Sequence, residues 1–157
     1  MPLILVRVAA DRTQLGDLQA FDDSNTVVFG PVPCYCKADN AEAAKKGNPT
    51  RNPELRFGDT PTGTYNGFIA PPAAGADEKH VRMFGPSQVI ALDPVAGQAL
   101  RAKQNGRTGI LIHGGALSAA GKLRPTFGCV RLANEHQAAL LKALPAGKLR
   151  VRVEQRV

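Results

Sequence analysis

The sequence predicts a mainly β domain. Short runs rich in β-branched residues recur along the chain and are bounded by glycine, proline and other turn residues, which is typical of strands. The segment Lys148 to Gln155 alternates apolar and polar residues, with Leu149, Val151 and Val153 facing inward. Only residues from about 134 to 144 have a convincing helical pattern. The length fits one domain, residues 1–157.

The first third of the chain contains three extended segments. Leu3 to Val8 is predicted as a strand, and Thr26 to Gly30 as another, after a turn at residues 22–25. Val32 to Lys37 is also extended, but Pro31 and Pro33 restrict it to a sheet edge or a strand start. The sequence therefore predicts an edge strand here.

Short helical turns and loops are predicted next. Asp39 to Lys46 is expected to form one or two helical turns, capped by Asp39 or Asn40 and ended by Gly47. The polar, proline-punctuated stretch from Asn48 to Asp59 is predicted as a loop.

The middle of the chain is predicted to be strands and turns. The turn cluster Gly58 to Tyr65 leads into a strand that runs through Ala70, and a loop follows at Pro71 to Asp77. Two strands are expected around a Gly85-Pro86 turn, at Val81 to Phe84 and Gln88 to Leu92. Residues 93–107 are interpreted as a loop, or as a short helix around 96–103.

One helix is well signalled. Asn134 is predicted as its N-cap, with Gln137 completing a capping box. Leu140, Leu141 and Leu144 form its apolar stripe. Pro145 and Gly147 end it.

Charge and cysteine content limit the partners. A net charge of +7 favours an anionic partner such as nucleic acid, an acidic membrane surface or peptidoglycan. The basic residues are scattered and aromatics make up 5% of the chain, so a nucleic-acid stacking platform is poorly supported. Cys34 and Cys36 are expected to pack in a strand. The N-terminus does not have the pattern of a signal peptide, and no stretch reaches transmembrane length.

The stretch from Ile110 to Leu132 combines a histidine and a cysteine at two predicted strands. In a pleated strand His113 shares a face with Leu111, and Cys129 shares a face with Arg131. If the strands pair with their apolar sets together, the thiol and the imidazole lie close, and a histidine neighbour can lower a thiol pKa. The alternative is a buried free cysteine and a structural histidine, and the residue types alone do not decide between them.

The motif His113-Gly114 … Thr126-Phe127-Gly128-Cys129-Val130-Arg131 resembles the L,D-transpeptidase (YkuD-type) catalytic domain. The turn Thr60 to Tyr65, the segment Phe84 to Pro86 and the segment Arg131 to Glu135 resemble that family in the same order. The resemblance implies a β-sandwich or barrel-like fold and an acyl transfer on peptidoglycan stem peptides in the periplasm or cell wall, without metal or organic cofactor.

The resemblance also implies roles for individual residues. Cys129 would be the nucleophile, His113 the general base, and the Gly114 carbonyl would orient the imidazole. Amides near Gly128 and Cys129, with Thr126 beside them, would hold the oxyanion, and Arg131 would meet a substrate carboxylate. Phe127 stands where the family usually has histidine, which bears on the choice of acceptor.

The sequence is consistent with several functions besides amine transfer. Water in place of an amine acceptor would make the enzyme an L,D-carboxypeptidase. A toxin that acts on the stems of a rival, with an immunity or delivery partner, would use the same site. A non-catalytic wall-binding module and, with least support, a nucleic-acid binder are the further hypotheses; membrane insertion is not expected.

Overall fold

The computed structural model describes residues 1–70 and 77–156. It confirms a mainly β fold, in which one sheet of eight strands is accompanied by four short helices. In chain order the elements are β1 (Leu3–Val8), β2 (Gly16–Phe21), β3 (Val27–Cys34), α1 (Asn40–Lys45), β4 (Gly63–Ala70), α2 (Glu78–Phe84), β5 (Val89–Ala96), α3 (Gln98–Gln104), β6 (Ile110–His113), β7 (Val130–Arg131), α4 (Asn134–Ala143) and β8 (Leu149–Gln155). None of the helices within these ranges is long and apolar enough to cross a membrane.

The strand order in the sheet differs from the order in the chain. It runs β3-β2-β1-β8-β4-β5-β6-β7, so β8 lies in the middle, parallel to β1 and antiparallel to β4. The alternation predicted for β8 is confirmed, because Leu149, Val151 and Val153 are buried while the residues between them are exposed. They pack in the core with Ile4 and Val6 of β1, whose bounds are also as predicted.

The two ends of the sheet are joined by the segment that follows β3. Tyr35 and Arg131 exchange backbone hydrogen bonds of 2.9 and 3.0 Å, and Ala38 forms a further bridge with Thr126. These bonds connect the β3 edge to β7 and give the sheet a barrel-like form. They also place the residues around Cys129 beside a segment nearly a hundred positions earlier in the chain.

Three strand predictions need correction. One strand, β3 (Val27–Cys34), covers most of the predicted strand Thr26–Gly30 and the first half of the predicted strand Val32–Lys37, and it does lie at a sheet edge. The sequence reasoning missed β2, a short strand in which glycine and polar residues weaken the β pattern. Val81–Phe84 is not a strand but the end of α2, since the Asp77 side chain accepts from the His80 amide at 2.9 Å and caps a helix there.

Two predicted short helices are confirmed. α1 is confirmed with Asp39 as its N-cap, and the short-helix interpretation of residues 96–103 is confirmed by α3, although β5 extends through Ala96. The loop at residues 48–59 is also confirmed. Of the loop predicted at Pro71–Asp77, residues 71–76 lie outside the described residues.

The predicted capping box of α4 is wrong. Its N-cap is Ala133, without a side-chain hydrogen bond. Asn134 Oδ1 instead accepts from the Gly115 amide at 2.8 Å, and Gln137 is buried with Nε2 donating to the Gln88 and Ile112 carbonyls at 2.9 and 3.2 Å. Both polar side chains therefore connect the helix to the segment around β6.

Candidate active site

A cavity of about 770 Å³ opens beside β6 and β7. One side is formed by α2 and the other by α1 with part of the loop at residues 48–59. Six of the seven predicted site residues line it, namely His113, Thr126, Phe127, Gly128, Cys129 and Arg131. The parallel pairing of β6 with β7 sets His113 opposite Arg131 and turns Ile112 and Val130 into the core, so the polar residues share the cavity face.

The Cys129 thiol lies against the backbone of β6. Its Sγ is 3.6 Å from the Gly109 carbonyl, to which it donates, and 3.4 Å from the Leu111 amide, from which it accepts. The residue is 9% exposed, and burial raises the pKa of the thiol above its usual range, although the Leu111 amide and nearby Arg107 act in the opposite direction. In this structure burial, and not the neighbouring imidazole, sets the direction of the shift.

His113 is held in one tautomer. Its Nδ1 donates to the Gly114 carbonyl at 2.5 Å, which leaves Nε2 as the nitrogen that can take a proton. The edge-to-face contact with the Phe84 ring, at 5.0 Å between centroids, fixes the ring plane. Burial lowers the pKa of His113 to about 4, so the imidazole is neutral at neutral pH.

The raised pKa of the thiol and the lowered pKa of the imidazole both favour the uncharged forms of these groups. Among the described residues, the hydrogen-bond partners of the Cys129 Sγ are backbone atoms of β6 and the segment before it, and the imidazole is not one of them. This arrangement suits general-base catalysis, in which the proton moves during attack, rather than a preformed thiolate–imidazolium pair.

Thr126 organises the backbone around the thiol. Its Oγ1 accepts from the amides of Gly128 and Cys129 at 3.0 and 2.8 Å, and it donates to the Cys129 carbonyl at 3.1 Å. The amides that the resemblance implies as oxyanion donors are therefore already hydrogen-bonded in this structure. In this structure the Thr126 hydroxyl supports a tight turn.

Two residues that sequence reasoning missed stabilise the same turn. Thr60 Oγ1 donates to the Gly128 carbonyl at 2.8 Å, and this threonine belongs to the turn cluster that the sequence analysis singled out only as a family segment. Arg107 is buried, and its Nη atoms donate to carbonyls of the loop at residues 53–59 at 2.6 to 3.3 Å and to Gly128 at 3.4 Å. No local pattern indicates such a role, because all of its partners are distant in sequence.

Arg131 is buried rather than exposed on a sheet edge. It is 6% exposed, and its Nη2 donates to the Met83 carbonyl at 2.6 Å. Its Nε is buried without a hydrogen-bond partner among the described residues. Because a buried guanidinium donor without a partner is unfavourable, this side chain is suited to an anionic ligand.

Phe127 projects from the turn to the rim of the cavity. It is 49% exposed and contacts Phe57 edge to face, with 5.9 Å between the ring centroids. Lys46 Nζ lies 5.6 Å from the centroid of the Phe57 ring, within the range of a cation–π contact. The residue that departs from the family motif is therefore part of an accessible aromatic pair at the cavity mouth.

The helix α2 holds several site residues in place. The Gly114 amide donates to the Phe84 carbonyl at 3.1 Å, and the Ala116 amide donates to the Arg82 carbonyl at 2.8 Å. Together with the bond from Arg131 to Met83, these contacts fix the helix over His113 and its neighbours. The sequence interpretation of this segment as a strand could not show this contact surface.

The comparisons with known proteins concern the fold. No family model and no curated protein matches the chain. A mutant of the helical cell shape determining protein Pgp2 from Campylobacter jejuni is similar with a TM-score of 0.61 and 18% identity, over 99% of this chain and 47% of that one. Bd1075 from Bdellovibrio bacteriovorus is similar with a TM-score of 0.52 and 14% identity, over 96% of this chain and 46% of that one. The chain spans about half the length of these structures and, at such identities, shares their fold.

Proposed function

We propose that this protein is a cysteine-dependent L,D-transpeptidase that acts on peptidoglycan stem peptides. The observation that carries the proposal is the cavity that brings together Cys129, His113 and Arg131, with the His113 ring held by the Gly114 carbonyl. The motif resemblance supplies the substrate class. The Pgp2 structures are described as those of a helical cell shape determining protein, and bacterial cell shape depends on the wall, which agrees with a wall substrate.

The proposed reaction begins with proton transfer from Cys129 to His113. The thiol leaves the Gly109 carbonyl, Nε2 takes its proton, and Sγ attacks the carbonyl carbon at the L-centre of an L,D peptide bond. The C–N bond breaks, and the departing amine of the terminal D-residue takes the proton from the imidazolium. A thioester on Cys129 remains, and His113 is neutral again.

The second half of the reaction resolves the thioester. The amine of another stem attacks the thioester carbon and gives a proton to His113 Nε2, and the C–S bond breaks. The thiolate recovers that proton, and the new amide bond is the cross-link. Water in place of the amine would give a trimmed stem and make the enzyme an L,D-carboxypeptidase. The same site would serve in a toxin delivered to a rival cell.

A second candidate function is a non-catalytic module that binds stem peptides. It is favoured by the raised pKa of Cys129 and by the contact of its thiol with the Gly109 carbonyl instead of the imidazole. Slow alkylation of Cys129 at neutral pH is expected for either function, because a general-base enzyme also keeps its thiol protonated. Turnover is the measurement that separates them.

The test is incubation of the protein with purified tetrapeptide muropeptides, followed by mass spectrometry. The wild type should release the terminal D-residue or form cross-linked dimers, and Cys129→Ala should do neither. Cys34→Ala is the matched control, since that thiol is buried away from the cavity and its loss should leave turnover intact. Unchanged substrate with the wild type, together with binding by Cys129→Ala, would leave the binding module as the function.

The fate of the thioester is tested at Phe127. We propose that its exposed ring borders the acceptor route, because it lies at the cavity rim two residues from Cys129. Phe127→His should change the ratio of cross-linked to trimmed product while the rate of D-residue release changes little. An unaltered ratio would remove Phe127 from the acceptor route.

A further inference from the structure

We propose that one wall of the cavity is a subsite for a second carboxylate of the donor stem, separate from the carboxylate that Arg131 would meet. The inference rests on the proposed function and specifies its substrate, a stem with at least one free non-terminal carboxylate. The wall, called the basic wall below, consists of Lys79 and Arg82 of α2 together with Arg124, and it adjoins Arg131.

The charges of the cavity lining are strongly unequal. Two acidic residues, Asp39 and Glu42, line the side formed by α1, against six basic residues: Arg56, Lys79, Arg82, Arg107, Arg124 and Arg131. Among the described residues, no member of the basic wall forms a salt bridge with a carboxylate. The wall therefore presents cations that the protein itself does not neutralise, and their combined charge attracts an anionic ligand to the cavity.

The buried guanidinium of Arg131, next to the basic wall, indicates that this part of the cavity is suited to anions. Arg131 has an unpartnered, buried Nε, while its Nη2 is used by the Met83 carbonyl. Burial lowers the pKa of Arg131, and the positive charge of Arg124 lowers it further. A carboxylate at Arg131 would supply the missing acceptor, and the Arg124 guanidinium would still be without a carboxylate partner among the described residues.

The helix α2, which carries the other two cations on its exposed surface, is held in place beside the site. Lys79 and Arg82 are three residues apart and share a face of α2. That helix is held by the bond from Arg131 to Met83 and by the bond from the Gly114 amide to Phe84. Because one carboxylate occupies a single arginine fork, the cations beyond Arg131 can accommodate a second carboxylate.

The experiment uses two synthetic tetrapeptide stems. One has all its carboxylates free, and in the other the non-terminal carboxylates are amidated while the terminal carboxylate stays free. Binding is measured by calorimetry with Cys129→Ala, and kcat and KM with the wild type. We expect the free stem to bind about tenfold more tightly than the amidated one, as for a charge-assisted hydrogen bond in a partly enclosed site.

Variants of the wall should remove this preference. Arg82→Gln and Arg124→Gln, each combined with Cys129→Ala for the binding measurement, should weaken binding of the free stem by about five- to tenfold and leave the amidated stem nearly unaffected. In the active enzyme the same substitutions should raise KM for the free stem and leave kcat unchanged. Lys122→Gln is the matched control, as an exposed lysine of the same loop as Arg124 that does not line the cavity.

The outcomes separate the inference from the proposed function. Equal binding of the two stems by Cys129→Ala would overturn the inference whether or not the wild type turns them over. A preference for the free stem without turnover of either stem would refute the transpeptidase and leave the carboxylate subsite standing. Loss of the preference in Lys122→Gln would show that general surface charge, and not the basic wall, is responsible.

Discussion

Replacing Thr126 with valine tests whether its hydroxyl supports the turn that carries the thiol. Valine keeps the shape of the side chain and removes three hydrogen bonds, two from the Gly128 and Cys129 amides and one to the Cys129 carbonyl. Each such bond contributes about 0.5–1.5 kcal/mol net, and the amides are left buried, so we expect the free energy of unfolding to fall by about 2–4 kcal/mol. For a domain of this size the melting temperature should fall by about 5–15 °C.

The measurement is urea-induced unfolding of the wild type and Thr126→Val, followed by circular dichroism. Thr126→Ser restores the hydroxyl and should recover most of the stability. The matched control is Thr13→Val, an exposed threonine whose hydroxyl bonds only to Asp11, for which we expect a change within about 0.5 kcal/mol. A loss below that value for Thr126→Val, equal to the control, would refute the assigned role of the hydroxyl.

Two further predictions concern His113 and Arg107. The pKa of His113 is about 4 in the folded protein and about 6.5 in the unfolded chain, so between these pH values only the unfolded chain binds the proton. The free energy of unfolding should therefore fall by up to about 3 kcal/mol as the pH is lowered from 6.5 to 4. In urea unfolding, the free energy of unfolding of His113→Gln should depend less on pH. An equal dependence in the variant would contradict the depressed pKa. Arg107→Lys cannot reproduce the fork that binds several carbonyls, so the free energy of unfolding should fall by about 2–4 kcal/mol and proteolysis of residues 53–59 should become faster. Arg152→Lys, on the exposed face of β8, should change neither.

The parts of the fold that the sequence predicted are those that depend on local periodicity. The alternation of Leu149, Val151 and Val153 reports burial of one strand face, and the structure has that face in the core. The segment of α2 was misread because its apolar residues resemble a short strand when counted alone. What makes it helical is the Asp77 cap, together with docking against residues around Gly114.

Of the candidate site, the sequence could predict only the residues with reactive side chains. His113 and Cys129 could be found because reactive side chains stand at predicted strands with a glycine beside each. The contributions of Arg107 and Thr60 could not be found, because their partners lie between 21 and 69 positions away and exist only after folding. The Gly128 and Cys129 amides were predicted as free donors, since no sequence pattern shows that the Thr126 hydroxyl occupies them.

The central position of β8 has a consequence for the order of folding. The strands β1 to β3 and the strands β4 to β7 become one hydrogen-bonded sheet through β8, which pairs with β1 across nearly the whole chain. Such long-range pairing closes a large loop and is intrinsically slow. We therefore expect the turn that carries Cys129 to become ordered late, so a nascent chain would emerge with its thiol in an unfinished cavity. Under the proposed function, this order would delay activity until β8 has been synthesised.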